Sequence, residues 1–534
     1  MQVFNSRKQT FLHGTLLLTI AGLLSKILSA MYRIPYQNIA GDVGFFIYQQ
    51  VYPFYGIALA LSLYGFPVVI SKMISEVRED SKASERRILT FSLCTLLVFG
   101  LLLFSILYGF STRIATWMGD PLLNLPIKMV SFSFLLLPLL AVSRGKFQGH
   151  ENMVPTALSQ IVEQFIRVAT ILLLTYYLVS EGFNYYEVGA GAVLGSITGG
   201  FAAIAVLLFF RSRDGNTGTI IWREYIAVFS KRSIRAFPFK TLLISSMAIC
   251  TTGLILVLLQ LVDSFTLYTL LLQSGQGTNE AMVTKGVYDR GQPLLQLGVV
   301  LATSLSLSLV PTIAKAVLEK NNALIHEKSR LALKISLVVG TGAVLGLISI
   351  MKYTNFMLFT DMAGSNILSV LSVTILFTSL TLTSSAILQG LGYIRLTAFF
   401  VLIGVSVKWA LNGWLIPVHQ TLGAAISSVI AVGVMTVLTG LMLHRKLGYR
   451  SIFRFELIIK TALAGIGMWG ALKGYEWVYF KIFTLEDSRL VSSLFALSAS
   501  LVGGIVFLGL IILLRIFDKK ELSGWNDMKK VKAK

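Results

Sequence analysis

Long apolar runs leave this chain one class of fold. Read for length and apolarity, it resolves into fourteen of them: roughly 11–36, 46–71, 88–110, 126–143, 156–179, 186–210, 237–261, 283–312, 332–351, 364–388, 396–416, 421–443, 455–479 and 489–514. A helix needs about 20 residues to cross a hydrocarbon layer ~30 Å thick. Without water in that layer, each backbone N–H and C=O must bond within its own helix. Composition agrees: 55% of the residues are hydrophobic and 13% charged, where soluble proteins carry about 25% charged residues. Mean hydropathy is +0.75. The expected fold class is an all-α polytopic membrane protein.

The net charge of +21 is the balance a nucleic-acid binder would show. Its distribution assigns it to the membrane instead, with no nucleic-acid partner. Alternate loops are basic, and one side carries roughly 32 Lys and Arg against about 3 on the other (Arg113, Lys352, Lys481). Positively charged loops stay inside, so both termini are expected in the cytoplasm. Arg7-Lys8 precedes an apolar run that itself contains charges, which does not read as a cleavable signal. Cys94 and Cys250 lie inside apolar runs and do not read as a disulfide framework or metal site. No HExxH, P-loop or GxSxG is present, and nothing marks an enzyme.

The chain echoes itself. Gln148-Gly149 recurs as Gln389-Gly390 (389 − 148 = 241), Thr156-Ala157 as Thr397-Ala398, and the deep cation Arg167 as Lys408. Internal repeats of membrane spans are a usual construction for transporters, with substrate held between the halves. The expected organisation is an N-lobe of six spans (1–210), a basic cytoplasmic linker or surface helix (211–236), a C-lobe of six spans (237–443), and two further spans with a basic tail (444–534).

Charges inside the spans mark the candidate site, because each costs about 2.5–3.5 kcal/mol at mid-membrane. Lys26 and Arg33, seven residues apart, share a helix face, with Ser25 and Ser29 close to it. Arg290 follows Asp289 in the eighth span; the two neutralise each other, sit among headgroups, or leave Arg290 for substrate. Glu163 and Arg167 stand at i,i+4, where an internal salt bridge is the favoured reading. Lys408 has no acidic neighbour on its own helix. Asp263 has three readings: a coupling cation, a lysine partner, or a polar end facing water. The excess of cations points to an anionic, phosphate-bearing substrate. A carrier of cationic drugs would want carboxylates. Gly65 and Pro67 in the second span and Pro311 in the eighth are candidate hinges. The run Tyr48 to Tyr55 reads best as an interfacial aromatic belt.

The first span with Ser25-Lys26-Ile27-Leu28 and Arg33, then Gly65-Phe66-Pro67 to Lys72, then Phe147-Gln148-Gly149 and Glu163-Gln164-Phe165-Ile166-Arg167-Val168, resembles the stage V sporulation protein B (SpoVB)-like branch of polysaccharide transporters. That branch lies in the multidrug/oligosaccharidyl-lipid/polysaccharide (MOP) superfamily, near the MurJ-type lipid II flippases. The resemblance implies two six-helix lobes in a MATE-like V, with the last two spans grooved for a polyprenyl tail. It implies outward flipping of a lipid-linked cell-wall precursor at the bacterial plasma membrane, with a multidrug/cation antiporter as the alternative. Carried over residue by residue, Lys26 matches a cationic position of the first helix, Arg290 lies near a cavity arginine of the eighth, and Asp263 resembles a sodium ligand with Asn412 and Ser428 as loose companions. Tyr55 and Gly56 stand where the second helix is expected to hold an arginine, and Lys408 stands near enough to replace the ion. The implied partners are the lipid-linked oligosaccharide and membrane lipids, for a chain expected to act as a monomer. No cofactor is expected; sodium, protons or the membrane potential are the candidate energy sources.

Overall fold

The computed structural model describes residues 17–18, 20–76, 82–213, 238–448, 455–483 and 488–518; nearly all of the expected linker 211–236 and the basic tail lie outside them. Among these residues, eleven helical stretches are long and apolar enough to cross a membrane. Two of them, Ile20–Ser75 and Ile394–Leu447, each carry two expected spans. They are broken at Gly41 (φ 68°) and at Gln420 (φ 50°, ψ −132°) respectively. Phe455–Ile482 supplies the remaining span, so all fourteen have a helical counterpart.

The chain divides into two compact units. The first comprises Met1–Asp289 with Ile394–Ala424, and the second Arg290–Tyr393 with Ala425–Lys534. In the first unit, Val154–Ser180 lies against Tyr185–Arg213. The approach is set by Gly195 and Gly199, spaced as G-x-x-x-G. A Cβ on Gly199 would stand 2.6 Å from the Glu163 carbonyl oxygen, and one on Gly195 2.8 Å from that of Arg167. These two glycines therefore fix the height and rotation of the helix that carries Glu163 and Arg167. In the second unit, Asn322–Phe359, Phe455–Ile482 and Arg489–Leu513 share a core of Val338, Tyr353, Met468, Phe495 and Phe507. Gly465, Gly467 and Gly503 are each covered by a leucine (Leu345, Leu510 and Leu472), so at these three positions the last two spans use glycine for close packing.

The repeat is visible in backbone detail. Helix Ser133–Gly149 ends with the Asn152 N–H donating to Phe147 O (3.0 Å) and the Glu151 N–H to Gln148 O (3.0 Å). Helix Thr374–Gly390 ends with the Tyr393 N–H donating to Leu388 O (2.8 Å) and the Gly392 N–H to Gln389 O (2.9 Å). Both are six-to-one and adjoining turns of the Schellman type. Every residue number differs by 241, and both turns pass through a left-handed residue, Glu151 at φ 59° and Gly392 at φ 93°. The Gln-Gly pair also has one packing role: Gly149 presses on Ile74 and Gly390 on Ile313.

Candidate functional site

The polar interior of the first unit is built on the first, second and fifth spans. Arg33 is fully buried, its guanidinium carbon 4.0 Å from the centroid of the Tyr52 ring. Arg167 is also fully buried, between the rings of Tyr32 (5.1 Å) and Tyr55 (4.7 Å). Its Nη2 donates to Ser29 Oγ at 3.1 Å. Its Nε and Nη1 have no acceptor, and it makes no ion pair among the described residues. Tyr32 and Tyr48 share a hydroxyl hydrogen bond of 2.5 Å. Lys26 is partly buried on the same first span.

Two expectations are corrected here. The Tyr48–Tyr55 run is not an interfacial belt. Tyr48, Tyr52 and Tyr55 are at most 5% exposed, and Tyr52 and Tyr55 stack on guanidinium groups. Their i, i+4, i+7 spacing places them on one helix face, which is the signal that would have turned them inward. Nor does Glu163 pair with Arg167. It takes Arg144 Nη2 at 2.5 Å instead. Arg144, one residue past the expected span 126–143, is fully buried within helix Ser133–Gly149.

Arg144 is needed where it is because of Pro67. Leu61–Gly65 is a π-turn, with the Phe66 N–H donating back to Leu61 O, five residues away. In that register Ser62 O would accept from residue 67, and Pro67 has no N–H. Arg144 Nη1 donates to Ser62 O instead, at 3.3 Å, while its Nε donates to Ser159 Oγ at 3.2 Å. The Cys250 thiol donates to Ala60 O at 3.3 Å. Gly65 admits the seventh span closely enough that a Cβ would stand 2.5 Å from the Cys250 sulfur. The candidate hinge Gly65–Pro67 is therefore a bent, externally braced segment, whereas Pro311 sits inside the helix Val300–Leu318.

A second polar cluster in the same unit holds two of the three expected cation-coupling residues, Asp263 and Asn412. Asp263 Oδ1 accepts from Lys408 Nζ at 2.8 Å and from Asn412 Nδ2 at 3.1 Å, and its Oδ2 accepts from the Tyr288 hydroxyl at 3.0 Å. Asn412 also donates to Thr266 Oγ1 at 2.8 Å. Of the three open readings of Asp263, the structure shows the lysine pair. Ser428 is buried in the second unit. Asp289 does not neutralise Arg290: it pairs with Lys285 at 2.8 Å in the first unit. Arg290, in the second unit, forms a two-pronged pair with Asp361, Nη1–Oδ1 2.6 Å and Nη2–Oδ2 2.8 Å. Asp361 sits in the loop after Phe359, with its side chain 47% exposed. The Arg290 hydrogen bonds hold its carboxyl below the ordinary aspartate range, against a smaller opposing effect of burial.

The fold and these buried charges define a multi-pass helical membrane protein of the transporter kind. Its fold is that of lipid II flippase MurJ in an inward closed conformation (TM-score 0.67, 16% identity, 94% of this chain and 99% of that one). An inward-facing multidrug resistance MATE family transporter of the MOP superfamily gives a TM-score of 0.56, at 15% identity, over 81% of this chain and 96% of that one. Residues 11–317 match the family described as polysaccharide biosynthesis protein, and the chain belongs to that family. Three Bacillus subtilis (strain 168) proteins are similar over most of their length. The membrane protein YabM is 42% identical over 517 residues, 96% of this chain and 94% of its own. Lipid II flippase MurJ is 27% identical over 531 residues, 93% and 94% of the two chains. Stage V sporulation protein B is 27% identical over 440 residues, 81% and 83%. The resemblance to the SpoVB and MurJ group within the MOP superfamily therefore stands.

Proposed function

We propose that this chain is a flippase that carries a lipid-linked, polyprenyl-pyrophosphate cell-wall precursor from the inner to the outer leaflet of a bacterial plasma membrane by alternating access. The observation that carries this reading is Arg167, a fully buried guanidinium with no carboxylate partner among the described residues. A desolvated cation that the protein itself leaves uncompensated suits a substrate that brings the negative charge. Lys26 and Arg33 on the first span extend the same cationic face within the first unit. Similarity to lipid II flippase MurJ supports the substrate class. No covalent chemistry is involved, and the chain works as a monomer with both termini in the cytoplasm. Gly65 and Pro67 in the second span and Pro311 in the eighth are its candidate hinges.

Energetics fit. One charge moving through 100 mV is worth about 2.3 kcal/mol, so a doubly charged pyrophosphate leaving a negative cytoplasm gains roughly 4–5 kcal/mol. Asp263 already holds the Lys408 ammonium, so in this reading the membrane potential drives transport and no alkali cation is taken up there.

The test is complementation. A strain depleted of its lipid II flippase receives wild type or Lys26→Ala at matched membrane levels. Rescue by wild type and failure of Lys26→Ala is the expected result. If wild type does not rescue, lipid II is not the substrate; if both rescue, flipping stands without a role for Lys26.

A further inference from the structure

The second and seventh spans belong to different repeats, yet they run antiparallel and in register across nearly the whole membrane. The seventh span is the helix pair Phe239–Gly253 and Ile255–Gln273. The Phe46 ring meets that of Tyr268, centroids 4.9 Å apart. One turn on, Gln50 Nε2 donates to Ser264 O at 3.2 Å, and Gln260 Nε2 donates in return to Gln49 O at 3.1 Å. A Cβ on Gly56 would stand 3.0 Å from Val257 Cγ1. Then come the Cys250 thiol on Ala60 O at 3.3 Å and Gly65, whose Cβ would stand 3.1 Å from Ser246 O. Phe46 and Gly65 are 19 residues apart (65 − 46 = 19). That is about 28 Å of helix against a hydrocarbon layer of ~30 Å.

The eleventh span is tied to the same helix pair, and here the register is parallel. Thr252 Oγ1 donates to Thr397 Oγ1 at 3.5 Å (397 − 252 = 145), and Lys408 Nζ meets Asp263 at 2.8 Å (408 − 263 = 145). The Phe265 and Trp409 ring centroids are 6.3 Å apart (409 − 265 = 144), and Asn412 donates to Thr266 Oγ1 at 2.8 Å (412 − 266 = 146). Gln50, Gln260, Asp263, Lys408 and Asn412 are each at most 1% exposed. Inside a membrane no water stands ready to replace an amide–carbonyl bond or an ion pair, so parting these helices would leave the partners unsatisfied. The compact unit that contains spans one to six accordingly contains spans seven and eleven, as Met1–Asp289 with Ile394–Ala424.

We propose that spans seven and eleven move as one body with the first repeat. The working boundary of the carrier then cuts through the second repeat instead of running between the repeats. The face between spans two and seven stays shut through the transport cycle, and the lipid takes another route. The proposal rests on the carrier reading and not on the identity of the substrate.

The test fixes each seam covalently. In a full-length chain with Cys94→Ser and Cys250→Ser, one variant carries Gly56→Cys with Val257→Cys, and another Thr252→Cys with Thr397→Cys. A sulfur in the place of Val257 Cγ1 would lie 3.0 Å from the Gly56 Cβ. That is about the span from Cβ to the far sulfur of a disulfide. Both pairs should oxidise in the membrane. In proteoliposomes each cross-linked form should flip lipid II at no less than about half its reduced rate. A loss of about tenfold or more in either, restored by reductant, overturns the proposal, as does failure of either pair to oxidise. A second readout needs no substrate. Gln49 is 0% exposed, and its amide atoms have no partner among the described residues, so Gln49→Cys reports any opening of the seam. An impermeant maleimide outside the cell should label it less than about a tenth as fast as Lys352→Cys, the exposed control. Equal labelling overturns the proposal. If the reduced proteins flip no lipid II while Gln49→Cys stays protected, the lipid II reading falls and the seam stands.

Discussion

At the residue scale, several buried cations among the described residues carry their own counterion, and Arg167 does not. Lys408, Arg144, Lys285 and Arg290 each meet a carboxylate, and Arg167 meets tyrosines and a serine. Removing one partner of a buried pair strands a charge, at about 3–5 kcal/mol, whereas removing both with apolar replacements is often neutral. Lys408→Met and Asp263→Leu should therefore each lower stability by several kcal/mol, and the double variant should recover most of it, as read by thermal unfolding in detergent. Additive losses would contradict the pairing. The sequence made the intramembrane charges visible one by one, because each interrupts an apolar run. It did not give their partners. Asp263 and Lys408 are 145 residues apart, and nothing local on either helix points to the other. The i,i+4 spacing of Glu163 and Arg167 misled for a related reason. It permits a salt bridge, but Arg144 offers Glu163 a shorter contact within a network that also satisfies Ser159 and Ser62.

At the element scale, a proline, a π-turn and an arginine form one device. Pro67 removes the donor that Ser62 O needs, and Arg144 replaces it. Arg144→Ala should cost about 3–5 kcal/mol, since it strands buried Glu163 and orphans Ser62 O. Adding Pro67→Ala, which restores a backbone N–H, should return about 1 kcal/mol of that loss. If Pro67→Ala is equally costly with and without Arg144, the bracing account is wrong. The loop after Phe359 gives a pH signature. Because Arg290 depresses the Asp361 carboxyl below its unfolded value of about 3.9, the pair's contribution is whole above that pH and fades as pH falls through the lowered value. Asp361 is half exposed, so the contribution is below about 1 kcal/mol. Melting curves of wild type and Asp361→Asn should differ by a constant amount from pH 7 to about 4 and converge below. The breakers Gly65 and Pro67 and the Gln-Gly repeat were readable because Gly and Pro punctuate local structure. The π-register was not, because it depends on which carbonyls a neighbouring helix can satisfy.

At the scale of the whole molecule, spans were the most legible feature, since length and apolarity decide them directly. All fourteen have helical counterparts, and the comparison with MurJ covers 94% of the chain. The grouping of spans into compact units was not legible. Ile394–Ala424 joins the first unit through side chains such as Lys408, and covalent order does not encode that. Orientation rests on loop charge alone. In a chain with Cys94 and Cys250 replaced, single cysteines at Lys320 and Lys352 should label from opposite sides, Lys320 only after the membrane is opened. Labelling of Lys320 in intact cells would invert the topology. The central claim is that a buried guanidinium without an internal counterion seats the anion of a lipid-linked substrate. Its most direct test is flipping of lipid II by reconstituted wild type and Arg167→Gln in proteoliposomes, at matched protein and with a potential imposed. The account predicts potential-dependent flipping by wild type and at least a tenfold slower rate, about 1.4 kcal/mol, in a variant that melts no lower. Equal rates for the two proteins would contradict it.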